Sequence, residues 1–497
     1  MTSLWFDRSR STPQPTLDEG LSFDYVVVGA GLTGLVTALL LARGGAEVAV
    51  VEARRIGAAA TGNTTAKLSL LQGTRLSEIS SKHSEATTQH YVDANEEGQQ
   101  WLLRYCEAHD IPVQRETAYT YANTAAGTDS VRAELRACAS AGLDVEWTEE
   151  LPELPFPTYG AVRLDNQAQF DPMSVLEGLA ADLLERGVPI FENTRVQSVS
   201  RRNGGQSIET DHGSVQAKRV VLATGTPILD RGGYFARLEP ERSYALAFTV
   251  PGPIPRGMYL SADKPSRSLR YAPGTGEDLL LVGGNGHPVG RSDSPATLVE
   301  DIVEWTQTHF PGAQLTHSWS AQDYTAIDEL PYVGTLLPGL DSILVATGYA
   351  KWGMTNAVAA ALALASREFG GQLAWADAMR SWRPSQLVGL PKAAQANAGV
   401  GLNMATGWLR AALSTESSPP KEGAGNVDRS GIRPVATCTV DGVTKRVSAV
   451  CPHLYGIVKW NDAERSWDCP LHGSRFDSDG KVLEGPVTSN LQALPPR

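Results

Sequence analysis

Apolar residues in this chain fall into short runs and helical stripes separated by glycine-rich turns. Asp24-Tyr25-Val26-Val27-Val28 is a β-rich run that leads straight into Gly29-Ala30-Gly31-Leu32-Thr33-Gly34. The stretch from Leu35 to Ala42 reads as a helix stopped by Gly44 and Gly45, and a second β run from Val48 ends at Glu52. Further on, Asp171 caps a helix with Pro172 in its first turn. Val175, Leu176, Leu179, Ala180, Leu183 and Leu184 form its apolar face, and Gly187 ends it. A strand carrying Val196 follows, then the run Val220 to Gly225. Late in the chain, a strand from Ile343 to Gly348 runs into Gly353-Met354-Thr355 and an Ala/Leu-rich helix reaching about residue 369.

Residues 85–165 and 235–330 lack this strand–turn–helix order. A helical pattern from Thr87 to His109 is mixed there with β runs at Thr117–Ala122, Arg242–Val250 and Leu279–Gly284. After a helical stretch at 408–414, residues 415–431 are small, charged and rich in proline and glycine, which predicts a linker. A compact β-rich unit completes the sequence.

Composition narrows the class. The 497 residues are 42% hydrophobic and 20% charged, as in globular proteins of about two or three domains. A net charge of −12 argues against nucleic acid or an anionic membrane as the main partner. It leaves a cationic substrate or a basic redox partner protein open. The first twenty residues show no apolar core, cleavage site or twin-arginine pair. The apolar run 34–42 is far short of a membrane span. The expected location is cytoplasmic. Five cysteines, an odd number, do not suggest a disulfide framework, and Cys106 and Cys138 read as packing residues.

The first glycine turn carries chemistry. Gly29 permits the tight turn, Gly31 lets the backbone approach a pyrophosphate, and Gly34 brings helix and strand together. The helix start offers N–H groups to phosphate, and Glu52 can accept hydrogen bonds from a ribose diol. The motif alone does not separate NAD from FAD.

Taken with the Val196 strand, Val220–Gly225 and the late Asp328–Ala363 region, these pieces resemble the D-amino-acid-oxidase-like family of FAD oxidoreductases. That family includes glycine, sarcosine and glutamylputrescine oxidases, and the resemblance covers roughly residues 22–385. No single His or Cys stands out as an attachment point, so non-covalent FAD is the expectation. The resemblance implies that the Val196 backbone contacts the adenine, and that Ala223, Thr224 and Gly225 pass near the cofactor. Arg54, Thr61, Thr64, Thr65 and Lys67 fall in a polar stretch that wraps pyrophosphate and ring in this family; for any one loop residue the rival is a solvated surface position. Gly348, Lys351, Gly353, Met354 and Thr355 mark a helix start aimed at the flavin's N1–C2=O edge.

Hydride transfer from an amine to flavin needs placement and water exclusion more than a catalytic triad. Three polar clusters are candidates to line a substrate pocket: Arg242 to Tyr244, Arg270 to Tyr271, and Asn285 to His287. Arg242 and Arg270 qualify by type as a carboxylate fork, although a structural role is the preferred reading for each. Lys351, Tyr244, Arg270 and Lys67 are the candidate catalytic residues, Lys351 either tuning the flavin or promoting reaction with oxygen.

In the C-terminal unit, Cys451-Pro452-His453 and Cys469-Pro470-Leu471-His472 place one cysteine and one histidine on each of two loops. This donor set suits a Rieske [2Fe–2S] centre, and by chemistry alone a Cys2His2 zinc site. A zinc finger groups its cysteines ahead of histidines on a helix, whereas the flanks here are Pro, Gly and β runs that look like Rieske loops throughout. Gly456 and Leu471 stand where many high-potential Rieske proteins carry a bracing disulfide, and Phe476 where some carry a tyrosine. Ser474 remains as a donor toward a bridging sulfide, so the expected potential is in the lower, ferredoxin-like range.

The expected fold is α/β: a Rossmann-like FAD-binding domain with an inserted mixed α+β substrate domain, plus a small all-β Rieske domain. The expected boundaries are an extension 1–21, FAD-binding 22–84 with 160–235 and 331–385, substrate 85–159 with 236–330, helix and linker 386–430, and Rieske 431–497. The expected activity is oxidation of an amine or amino acid, with the imine hydrolysed and electrons exchanged singly through the cluster. Rival expectations are an oxygen-using oxidase with a structural or regulatory Rieske domain, and a non-catalytic redox sensor or adaptor. Seven further histidines offer no close two-His-plus-carboxylate iron site.

Overall fold

The structure, a computed structural model, describes residues 1–202, 204–274, 276–414 and 418–495. The expected linker residues 415–417 lie outside the described residues.

Val26, Val27 and Val28 are buried because their strand, Ser22–Val28, lies in the middle of a sheet. It runs parallel to Val48–Val51 on one side and Gly213–Leu222 on the other. Leu340–Thr347 adds in parallel beyond Gly213–Leu222, and Tyr332–Leu337 closes that edge antiparallel. With Ile190–Phe191 and the hairpin Val196–Arg202/Gly205–Thr210 the sheet has eight strands. Helices Leu32–Arg43 and Gly353–Glu368 pack together on it. Small residues make this close: Ala357, Ala359, Ala360 and Ala361 are buried, and a Cβ on Gly34 would overlap the Gly29 carbonyl at 1.8 Å.

A second, nine-stranded sheet runs from Gln314–Ala326 through Leu238–Thr249, Leu279–Pro288, Arg267–Ala272, Met258–Ser261 and Val113–Tyr121 to Ala161–Phe170 and Lys67–Leu68, with Glu146–Thr148 also paired to Ala161–Phe170. Three elements cross the expected boundaries. Lys67–Leu68 and Ala161–Phe170 pair with each other in this sheet, not in the nucleotide-binding layer. Helix Glu85–Ala108, expected in the substrate unit, packs on Gly353–Glu368, where Gly98 allows contact; a Cβ there would lie 2.6 Å from the Thr355 carbonyl.

The C-terminal unit is all β: three strands (Gly425–Ser430, Arg433–Val440, Val443–Ser448) and a second sheet of four short ones. It begins at Gly425, inside the expected linker, because Gly425–Ser430 pairs with Arg433–Val440. Ala436, Cys438, Val447, Trp467 and Phe476 form part of its own core. Helix Leu390–Leu413 straps the two halves together: Asn397 donates to the Ala236 carbonyl and Trp408 to that of Tyr455. The N-terminal extension is ordered too, with Leu4 and Trp5 buried in the main core. Among the described residues no helix is long and apolar enough to cross a membrane.

Candidate functional site

A cavity of about 390 Å³ lies between the two sheets. Its floor is the glycine turn. Gly29 has φ +108, and a Cβ there would lie 2.5 Å from the Ala223 carbonyl, so only glycine lets the strand ends meet. Helices Leu32–Arg43 and Gly353–Glu368 both begin at this cavity with no bond from the N-cap side chain, leaving first-turn N–H groups other than that of Leu32 for an anionic ligand. Glu52 is fixed by the backbone N–H groups of Ala30 and Arg54, each 2.9 Å away. Thr61 accepts from Leu32 N–H at 3.2 Å. The N-terminal extension braces the next loop: Ser3 donates to the Gly62 carbonyl and Trp5 to that of Thr64, both at 2.7 Å. A long slot with a glycine floor, uncapped helix starts and an acid at one end fits FAD.

Most sequence-selected residues meet here. Gly29, Gly31, Glu52, Arg54, Thr61, Thr64 and Thr65 line the cavity, as do Val196, Ala223, Thr224 and Gly225. From the late helix start come Gly348, Lys351, Gly353 and Met354, and from the second sheet and its approach Lys67 and Tyr244. Thr355 does not line it; its hydroxyl bonds Asn95 and Gln72 behind the helix. Gly34 also lies behind, in the strand–helix contact described above.

The two arginines selected as a carboxylate fork are placed elsewhere. Arg270 is fully buried beneath the cavity, where its guanidinium donates to the carbonyls of Thr65, Ala66 and Phe170. Arg242 turns to the C-terminal unit and grips Glu464 with two bonds of 2.5 and 2.6 Å. Glu484 lies 3.3 Å from Arg242, and Arg475 pairs with both Glu464 and Asp468. Burial alone would neutralise Glu464, but Arg242 and Arg475 outweigh it and hold its carboxyl well below the usual range. Asn285 is likewise committed, to Arg267 and Asp301, while Tyr271 bonds Glu116 and His287 stacks on Tyr244.

Two titratable groups in the cavity are less well satisfied. Lys67 donates to the Ser268 hydroxyl, and burial, with Arg270 adding repulsion, pushes its ammonium down to about 7. Burial pushes the Asp323 carboxyl up to about 7, against the pull of Lys351, and its Oδ2 has no partner among the described residues. Lys351 lies 3.0 Å from Glu241; burial opposes its charge, but Asp323 and Glu241 prevail and raise it. Asp323, Glu241 and Ser268 had no signal in the sequence, since nothing local marks them.

The second centre is built by two loops. Cys451 N–H donates to the Gly456 carbonyl and Cys469 N–H to that of Ser474, each at 2.8 Å, which folds both loops back on themselves. The thiols of Cys451 and Cys469 are buried and adjoin each other, and the rings of His453 and His472 lie 5.1 Å apart. His472 Nδ1 is buried without a partner, as a metal-binding nitrogen would be before its metal is added. Among the described residues no three such side chains converge to hold a single ion. A thiol pair beside an imidazole pair fits a two-iron cluster. Ser474 accepts from Val487 N–H, which leaves its own proton to donate, and the Leu471 side chain fills the space beside Gly456.

The loops press against the first half of the chain. Asp230 accepts a 2.7 Å hydrogen bond from His453 Nε2, and the Phe235 ring lies 5.8 and 5.1 Å from the two imidazoles. Gln322, which lines the cavity, also donates to the Gly473 carbonyl at 2.8 Å.

Comparison with known proteins agrees with both centres. Residues 24–367 match the FAD dependent oxidoreductase (DAO) family, and residues 408–495 match the Rieske [2Fe-2S] domain. The Rieske 2Fe-2S iron-sulfur protein YhfW of Bacillus subtilis (strain 168) is 30% identical over 484 residues, spanning 97% of this chain and 95% of its own. Among solved structures, glycine oxidase from Geobacillus kaustophilus aligns with TM-score 0.61 at 20% identity, covering 71% of this chain and 96% of its own. L-proline dehydrogenase from P. horikoshii aligns with TM-score 0.58 at 16% identity, covering 73% and 96%.

Proposed function

Because the chain belongs to the DAO family of FAD-dependent oxidoreductases and carries a Rieske [2Fe–2S] domain behind the flavoprotein, we propose that it oxidises a small amine or amino acid and passes the electrons singly through the cluster. When bound, FAD supplies the two-electron acceptor and the cluster a one-electron carrier. Glu52, Arg54, Thr61, Thr64 and Thr65, which line the cavity, would hold the nucleotide and pyrophosphate, and the N–H groups at the start of helix Gly353–Glu368 would stabilise negative charge on the reduced flavin. Cys451, His453, Cys469 and His472 hold the cluster.

The substrate enters the cavity, whose lining includes Lys67, Tyr244 and Asp323. A hydride can leave only a neutral amine. Lys67 and Asp323, both titrating near neutrality, are suited to take the amine's proton. Lys351, paired with Glu241, keeps a positive charge beside Asp323. The imine product then hydrolyses in water.

The observation that carries internal transfer is the segment 223–235. It begins on the cavity wall at Ala223 and reaches the cluster loops at Asp230 and Phe235. The test is anaerobic mixing of the purified protein with a panel of amines and amino acids, followed by visible spectroscopy. Bleaching of the flavin bands by one compound class supports the reading and names that class. Reduction of both centres by dithionite with no bleaching by any amine would overturn it.

A further inference from the structure

The cavity has a wall that the DAO match does not include. Leu483, Glu484, Gly485 and Thr488, all from the Rieske domain, line it together with Glu52, Arg54 and Arg195. Arg195 donates to the Val482 carbonyl at 2.9 Å, and Thr488 to that of Gln197 at 3.3 Å. Both bonds join the outer edge of the nucleotide layer to the strand Val482–Glu484 and the loop after it. We propose that this segment is part of the flavin site, so that FAD affinity depends on docking of the cluster domain and docking depends on FAD.

The seam is fastened away from the cavity as well. Glu464 holds Arg242, and Asp462 accepts from the Ser294 hydroxyl and the Ala296 N–H, each at 2.8 Å; neither acid lines the cavity. FAD held between the two halves gains contacts only when they are closed, and thermodynamic linkage makes the effect reciprocal. The consequence is that a change at these remote acids reaches the flavin. It also means that the wall adjoining the ribose-binding acid is supplied by the redox partner domain.

Two measurements on the full-length protein test this. Apparent FAD dissociation constants are read from flavin fluorescence for the wild type and for Glu464→Gln, Asp462→Asn and Thr488→Ala, with cluster absorbance recorded on each sample. Glu464→Gln is expected to weaken FAD binding about tenfold with its cluster bands retained, within the range typical of coupled sites. Asp462→Asn and Thr488→Ala should weaken it severalfold. In the wild type, amide exchange at Val482–Thr488 should accelerate when FAD is removed. Variants that keep the cluster and bind FAD with wild-type affinity would overturn the proposal. So would exchange at 482–488 that is the same with and without FAD, a measurement that stands even if Glu464→Gln fails to fold.

Discussion

Two sets of buried charge in this molecule contrast. At the seam, Arg242, Glu464, Arg475, Asp468 and Glu484 satisfy one another in a closed network. In the cavity, Lys67 has only a hydroxyl to hold it and Asp323 keeps one oxygen unpartnered. The same burial therefore has opposite results. Paired charges stay ionised and fix geometry, while poorly satisfied ones drift toward neutrality and become able to exchange protons. An arginine type alone did not reveal which set it would join; its partners did.

Breaking the paired set should have the largest effect. Glu464→Gln leaves Arg242 and Arg475 short of a counter-charge, and removing one partner of a buried ion pair costs about 3–5 kcal/mol. Denaturant unfolding measures this, and a loss below about 1 kcal/mol would place the network in solvent-like surroundings. The cavity set should respond in activity instead. Lys67→Met is expected to lower kcat/KM by about 100-fold or more, as for loss of a proton acceptor. Its stability should hold or rise, because a desolvated amine is gone.

The pH profile sharpens the same contrast. Lys67 is charged and cannot accept a proton below about 7, and Asp323 is protonated there. Both become competent as the pH rises, so kcat/KM should climb through about pH 7 in the wild type, keep a shallower climb from Asp323 in Lys67→Met, and flatten only when Lys67→Met is combined with Asp323→Asn. The smallest effect belongs to the cluster contact. Asp230→Asn removes a negative charge at His453 and should raise the cluster potential modestly in an EPR-monitored titration. The wild type should stay in the lower Rieske range, and a value above about +200 mV would defeat that.

What the sequence disclosed follows from distance along the chain. The glycine turn, Glu52 and the two Cys/His loops are local patterns, and each could be read in a few residues. The Arg242–Glu464 bond joins residues 222 positions apart, so a structural role for the arginine could be expected by type but its partner could not be named. Lys67 was legible as a polar loop residue, but not its pairing into the second sheet with Gln169. The extension 1–21 gave no motif, yet Trp5 is buried and braces the Thr64 loop, a role set by tertiary contact alone. The Rieske wall of the cavity was hidden for the same reason: a match to each half says nothing about the seam between them.

The central claim is that substrate, flavin and cluster form one redox unit within a single chain. Single-turnover anaerobic reduction by an active amine, with freeze-quenched EPR of the cluster, tests it most directly. The reduced-cluster signal should follow flavin bleaching at a rate independent of protein concentration. Complete flavin bleaching with the cluster still oxidised, or a rate that scales with protein concentration, would contradict it.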